Sequence, residues 1–146
     1  IDARIATLRA DAAAPPIAAK DLDLIDALLD IAAPLPDALA RLHDLSVDLP
    51  AILPAVARVA ARKEALKARG VDVSTLMFDA NYGRTSMEYY DGFVFGFRAV
   101  ARADLPPLAT GGRYDALTRR LGGGREIPAV GGVMRPGIML LLEEDQ

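Results

Sequence analysis

A chain of 146 residues has room for one domain with a core that needs neither disulfide nor metal, since a domain of this size buries roughly 70% of the surface its unfolded chain exposes. It has no cysteine and a single histidine, His43, which removes thiol catalysis and points away from a zinc site. The formal net charge of −3 and the absence of a strongly basic face argue against a nucleic-acid surface. No apolar run approaches the roughly 18–20 residues of a membrane span, and no leader pattern is visible.

Taken in chain order, the residues up to about Gly70 read as helices. Asp21 is the expected cap of a first helix that carries Leu22, Ile25, Leu28, Leu29 and Ala32 at the three-and-four spacing of one apolar face, with Pro34 and Pro36 as its breakers. Asp37 is the expected cap of a second, short helix with Leu39, Leu42 and Leu45 inward. A third begins near Pro50, tolerates Pro54 in its first turn and runs through Val56, Val59, Ala60 and Leu66 to a Gly70 stop. Lys63, Lys67 and Arg69 bring to its end the charge that suits the negative pole of a helix. Arginine far outnumbers lysine and alanine is plentiful, a bias that favours helices and carries no functional message.

From Val71 the character changes to strands and turns. Aromatic and β-branched residues predict strands at about 75–80 and 88–101, pairing antiparallel through Asn-Tyr-Gly-Arg-Thr-Ser. Asp104-Leu-Pro-Pro is a turn, Leu-Ala-Thr-Gly-Gly a short strand, and Tyr114 to Leu121 a helix stopped by Gly122-Gly123-Gly124. A strand at 129–134 and an apolar helix from Pro136 to Glu143 close the chain. Helices first and a mostly antiparallel sheet second make an α+β fold, divided into residues 1–70 and 71–146.

Few of these residues form a recognisable chemical device on their own. The triple glycine lacks the Gly-Lys-Ser/Thr ending of a phosphate loop and reads as a connector. His43 sits among leucines beside Asp44 and reads as a structural residue. Asp79, Glu88, Asp91 and Asp115 have no spacing that fixes an acid/base pair, and Ser86 has no neighbouring base. Gly-Gly-Arg-Tyr-Asp is more informative. Two glycines admit a ligand close to the backbone, while Arg113 and Tyr114 supply a charged fork and an aromatic wall; the same residues also suit a tight strand-to-helix turn in which Arg113 holds Asp115.

Together, Glu-Tyr-Tyr-Asp-Gly-Phe-Val-Phe-Gly-Phe, Thr-Gly-Gly-Arg-Tyr-Asp-Ala-Leu and Pro-Ala-Val-Gly-Gly-Val-Met resemble, in order and spacing, the catalytic core of class II histidyl-tRNA synthetases. The match runs from Asp79 to Leu142 and implies the C-terminal half of a class II aminoacyl-tRNA synthetase-like core, an antiparallel sheet flanked by helices and preceded by a helical insertion segment. Against the family pattern, the catalytic arginine falls on Thr85, with Arg84 one place out of register. The glutamate of the Val-Phe-Glu strand is Gly96, and the arginine that would grip ATP falls on Ile138, with Arg135 three residues earlier. An arginine fork that meets phosphate bidentately is not replaced by isoleucine.

These departures are similar to those of the synthetase-like regulatory subunits that accompany short-form ATP phosphoribosyltransferases. The resemblance implies no catalytic residue, no cofactor, no metal, no tRNA and no membrane. It implies a cytoplasmic protein that self-associates as a dimer within a hetero-oligomer with the short-form catalytic subunit and takes histidine as effector. Tyr89, Tyr90, Gly111, Gly112, Arg113 and Tyr114 are the expected lining of the histidine pocket, the two glycines forming its floor. The start at Ile1 and the end at Gln146 lead to the expectation of a C-terminal portion of a longer protein. A divergent amino-acid-activating enzyme, with Arg84 or Arg135 taking over the arginine roles, and a synthetase-like scaffold without amino-acid ligand are the rival readings.

Overall fold

The computed structural model describes residues 4, 5, 7, 16–82, 89–125 and 127–143. It divides into two units, residues 1–80 and 81–146.

In the first unit, helix α1 (Ala19–Leu29) leads to a short strand β1 (Ala32–Pro34), helix α2 (Leu35–Asp48), a 3₁₀ turn (Pro50–Ile52), helix α3 (Leu53–Lys67) and strand β2 (Met77–Asp79). Neither expected aspartate is an N-cap: Asp21 and Asp37 both lie in the first turn of their helices, where a negative charge still favours the positive helix pole. Pro54 sits in the first turn of α3 as the sequence predicts, and Gly70 follows the helix with φ 78°, a backbone angle that favours glycine. The core is the cluster Ile31, Ala33, Ala38, Leu39, Leu42 and Val56, with Leu28, Leu45, Ile52, Val59, Ala60 and Phe78 packed against it. His43 is exposed, and its carbonyl accepts the hydroxyl of buried Ser46 at 2.6 Å.

The strand at 77–79 does not pair with the aromatic strand that follows it. It pairs antiparallel with β1, in the register Ala32↔Asp79, Ala33↔Phe78 and Pro34↔Met77. The backbone contacts Leu35 N–H to Leu76 O (2.7 Å) and Ala80 N–H to Ile31 O (3.0 Å) extend the ladder at both ends. Burial is the reason: this pairing brings Phe78 onto the core beside Ile31 and Ala33. Pro34 stands at the last position of β1, where its missing N–H interrupts nothing. Of the expected hairpin loop, residues 83–86 lie outside the described residues, as do Met87 and Glu88 after it.

In the second unit, strands β3 (Val94–Phe97), β4 (Ala109–Arg113) and β5 (Val130–Met134) form an antiparallel sheet in the order β3-β4-β5. Helix α4 (Asp115–Leu121) connects β4 to β5, and helix α5 (Pro136–Glu143) follows β5. The long strand expected over 88–101 is regular only over 94–97, because its ladder partner β4 begins at Ala109, opposite Phe97, and ends at Arg113, where the chain bends into α4. The turn at Arg102–Leu105 is held by a two-point contact of Arg102 with Asp104, at 2.9 and 2.8 Å. The triple glycine is the stop of α4. Gly122 and Gly124 donate their amides to Thr118 O and Arg119 O at 2.7 and 2.9 Å, so those amides serve the helix end and do not form a phosphate cradle.

The register assigns each sheet residue to a face, since side chains alternate along a strand. Pairs Phe95↔Gly111↔Gly132 and Phe97↔Ala109↔Met134 lie on one face; Val94↔Gly112↔Gly131 and Gly96↔Thr110↔Val133 lie on the other. On the first, Phe93, Phe95 and Phe97 follow one another with ring centroids 6.1 and 5.8 Å apart. Together with Leu108, Met134 and Met139 of α5, Phe95 and Phe97 border an apolar hollow of about 420 Å³.

Candidate functional site

The second face of the sheet carries the tyrosines. Tyr89 and Tyr90 precede β3, and Tyr114 is the residue between β4 and α4. Their rings gather into a trio, with centroids 4.7 Å apart for Tyr89 and Tyr90, 5.5 Å for Tyr89 and Tyr114, and 6.2 Å for Tyr90 and Tyr114. The tilted and edge-on angles (55°, 84° and 40°) suit the ring quadrupole better than face-to-face stacking.

Two glycines make this cluster possible. A Cβ on Gly112 would lie 2.8 Å from Cδ1 of Tyr90 and 3.0 Å from the carbonyl of Phe93. One on Gly131 would lie 2.8 Å from the Tyr114 hydroxyl. Gly112 and Gly131 are register partners, so the pair forms one flat strip of backbone under two phenols. Gly111, expected in the same floor, belongs to the opposite face, where a side chain would run into the ring of Phe95. Alternation separates it from the tyrosines, and Gly131 stands in the place assigned to it. The sequence signal for Gly131 was its position in Val-Gly-Gly-Val, a strand pattern in which one of two adjacent glycines must face each side.

The trio is fixed by a pair of carboxylates. Asp91 accepts the backbone N–H of Asp115 at 3.0 Å and that of Ala116, and so caps α4 from 24 residues upstream. Its own amide donates to Arg113 O at 3.1 Å. Asp115 accepts Ala129 N–H on Oδ1 at 2.8 Å and, on Oδ2, Nε and Nη2 of Arg113, each at 2.7 Å. Tyr114 N–H donates to Ala129 O at 3.0 Å. Three segments, 89–91, 113–116 and 129–130, are thereby tied at one point, with the three phenols projecting from two of them. Arg113 therefore takes the structural alternative that the sequence left open: its guanidinium holds Asp115. Of the four acidic residues considered for acid/base work, Asp91 and Asp115 meet as hydrogen-bond acceptors at the start of α4, Asp79 ends β2 of the first unit, and Glu88 lies outside the described residues.

The electrostatics follow the contacts. Asp115 is held below the usual carboxylate range, first by the Ala129 amide and then by the hydrogen bond and charge of Arg113. Tyr90 is pushed above the usual phenol value, first by burial, then by its hydrogen bond with Tyr89 and the proximity of Tyr89 and Tyr114. That shift favours the uncharged phenol of Tyr90, and the cluster offers aromatic faces and hydroxyl groups.

The positions expected to serve a nucleotide are differently furnished. Gly96 of β3 leaves no carboxylate, Ile138 in α5 is half-buried, and Arg135 donates to Pro107 O at 3.0 Å and Thr110 Oγ at 3.3 Å. Arg84, Thr85 and Ser86 lie outside the described residues. Among the described residues no group of three or more His, Asp or Glu side chains is arranged to hold a metal, and no helix is long and apolar enough to cross a membrane.

The family described as histidyl-tRNA synthetase matches residues 3–136. Relatives in Brucella anthropi, Brucella canis and Brucella suis, each named "ATP phosphoribosyltransferase regulatory subunit", are 35% identical over 125 residues, which is 83% of this chain and 32% of theirs. The chain thus spans about a third of the length of the curated relatives it matches. No solved structure matches. On the family match, which covers nearly the whole chain, this protein belongs to the histidyl-tRNA synthetase family.

Proposed function

We propose that the chain is part of a non-catalytic regulatory subunit of ATP phosphoribosyltransferase, serving the first step of histidine biosynthesis and its feedback inhibition by histidine. The observation that carries this reading is the contrast between two sets of residues. The tyrosine trio on Gly112 and Gly131 is intact, whereas the positions that would serve a nucleotide hold Gly96 and Ile138, with Arg135 engaged by its own chain. The names of the relatives support it. In this reading Tyr89, Tyr90 and Tyr114 wall the imidazole of histidine, Gly112 forms the floor, and Arg113 acts through Asp115 to hold Tyr114 in place. Synthetase chemistry and tRNA binding are lost. The subunit is cytoplasmic and dimerises within a hetero-oligomer with the short-form catalytic subunit.

Histidine controls the partner only as far as it binds two arrangements of the complex with different affinity; a shift of roughly 5–150-fold in the partner's behaviour corresponds to the usual coupling of about 1–3 kcal/mol. Titration calorimetry with histidine, co-purification with the short transferase and histidine-activated pyrophosphate exchange test the reading on the full chain. The expected result is heat from histidine, association with the transferase and no exchange. Robust exchange would favour an amino-acid-activating enzyme, and neither heat nor association would leave a scaffold.

A further inference from the structure

Three glycines lie on the tyrosine face of the sheet, and each has a tyrosine over it. Tyr90 covers Gly112 and Tyr114 covers Gly131; the third pair is Tyr82 and Gly96. A Cβ placed on Gly96 would collide with the Tyr82 hydroxyl and stand 2.7 Å from its ring carbon Cζ. Gly96 pairs with Thr110, and Gly112 is its diagonal neighbour on the same face. Such neighbours are roughly 7–8 Å apart, within reach of aromatic side chains. Tyr82 is half-buried in this seat. Beyond it in the same row, Thr110 Oγ already accepts from Arg135.

We infer that Tyr82 is a fourth wall of the pocket and sets its size: seated on Gly96, it closes the β3 end of the tyrosine face, so that the site takes a ligand of amino-acid dimensions and excludes a nucleotide. This rests on the histidine reading above and adds the residue that limits the ligand. The physical argument is mutual exclusion. No side chain at position 96 coexists with the phenol in its present place, so glycine at 96 is the condition for Tyr82 to lie on the sheet. The phenol then occupies the ground in front of β3 over which a larger ligand would have to extend from the trio. The ring offers no positive charge to polyphosphate, and the guanidinium of Arg135, beside Thr110 of the same row, is tied to Pro107 O and Thr110 Oγ.

The test is calorimetry with histidine and, separately, ATP on the full chain as wild type, Y82F, Y82A, G96A and G96A/Y82A, with circular dichroism and melting curves as folding controls. Wild type and Y82F are expected to bind histidine and to give no heat with ATP. Y82A is expected to bind histidine about tenfold more weakly, as on truncating a wall aromatic, and to acquire measurable ATP binding. G96A is expected to reproduce Y82A by expelling the phenol, and to change nothing further when Y82A is already present. Wild-type binding of histidine with Y82A within twofold of it and still blind to ATP would overturn this inference alone. So would independent, multiplying effects of G96A and Y82A. A folded wild type that gives no heat with histidine would overturn the reading beneath it.

Discussion

Asp91 joins the tyrosines to the helix that carries their partner, and its removal is the sharpest single perturbation of that junction. Asp91→Ala deprives two amides at the start of α4, those of Asp115 and Ala116, of their acceptor. Loss of a capping side chain costs about 0.5–2 kcal/mol, and a negative charge at a helix N-terminus contributes roughly 0.3–1 kcal/mol. Both amides are exposed, so water takes over part of the bonding and the upper end of the summed range does not apply. About 1–2 kcal/mol is expected for alanine. Asparagine keeps an acceptor oxygen and loses the charge, so about 0.3–1 kcal/mol is expected for Asp91→Asn. In a unit of this length each kcal/mol moves the melting temperature by roughly 4–8 °C. Melting curves, supported by hydrogen exchange of the α4 amides, should therefore rank wild type above Asn above Ala, with the Asn deficit shrinking at high salt. If Ala melts with wild type, or Asn falls below Ala, the cap does not hold α4 and the account of the tied segments is wrong.

Other expectations follow from the same contacts. Gly112→Ala should cost about 1–3 kcal/mol by pressing on Tyr90 and Phe93 O and should weaken histidine binding, whereas Gly137→Ala, with open space around its Cβ, should be neutral or slightly stabilising; urea unfolding separates the two. Leu42→Ala, in the core of the first unit, should cost about 2–5 kcal/mol and leave the tyrosine trio unchanged by near-ultraviolet circular dichroism. Tyr90 has its folded pKa raised, so its contribution is present below the ordinary phenol value and is lost as pH rises through the folded one; spectrophotometric titration should show one tyrosine ionising late, absent in Tyr90→Phe. Asp115 has its folded pKa lowered, so its contribution is present above the ordinary carboxylate range and is lost as pH falls through the folded value. Asp115→Asn should flatten that acid limb, with the slope from Asp72 and Asp104 remaining.

Local order was legible wherever one residue type forces a local outcome. Pro54 in a first turn, Gly70 at a helix end, and the helix at 136–143 stand where the sequence places them, because proline fixes φ and glycine alone takes a positive φ at no steric cost, whatever surrounds them. Pairing was not legible. Met77-Phe-Asp has strand character, yet nothing local says that its partner is Ala-Ala-Pro, a segment with the composition of a helix end; the preference comes from burying Phe78 on Ile31 and Ala33, which only the assembled core provides. The aspartate caps failed for the opposite reason. Asp21 and Asp37 have the right chemistry, but both helices start upstream, α2 because Leu35 is buried and Pro36 fits its first turn. The tyrosine cluster was half legible. The sequence singles out the three tyrosines that the fold brings together, whereas Asp91, which fixes them, makes its contacts across 24 residues and looks from sequence like one acid among several.

The adjacent glycines 111 and 112 show how finely the site depends on register. They are neighbours in sequence and bonded to adjacent glycines of β5, yet one lies under Phe95 and the other under Tyr90. Both faces of β4 are thus stripped of side chains at the same point, and the strand there is a thin partition with an apolar layer of phenylalanines on one side and a polar layer of phenols on the other. A slip of β3 by one residue against β4 would turn Phe95 onto the face that now carries Tyr114. The register is locked at the end that matters, where Arg113 N–H meets Phe93 O, Asp91 N–H meets Arg113 O, and the Asp91 carboxylate caps the helix that follows. The acid beside the two tyrosines therefore does more than anchor a helix: by fixing where β4 ends, it determines which of two adjacent glycines lies under the tyrosines.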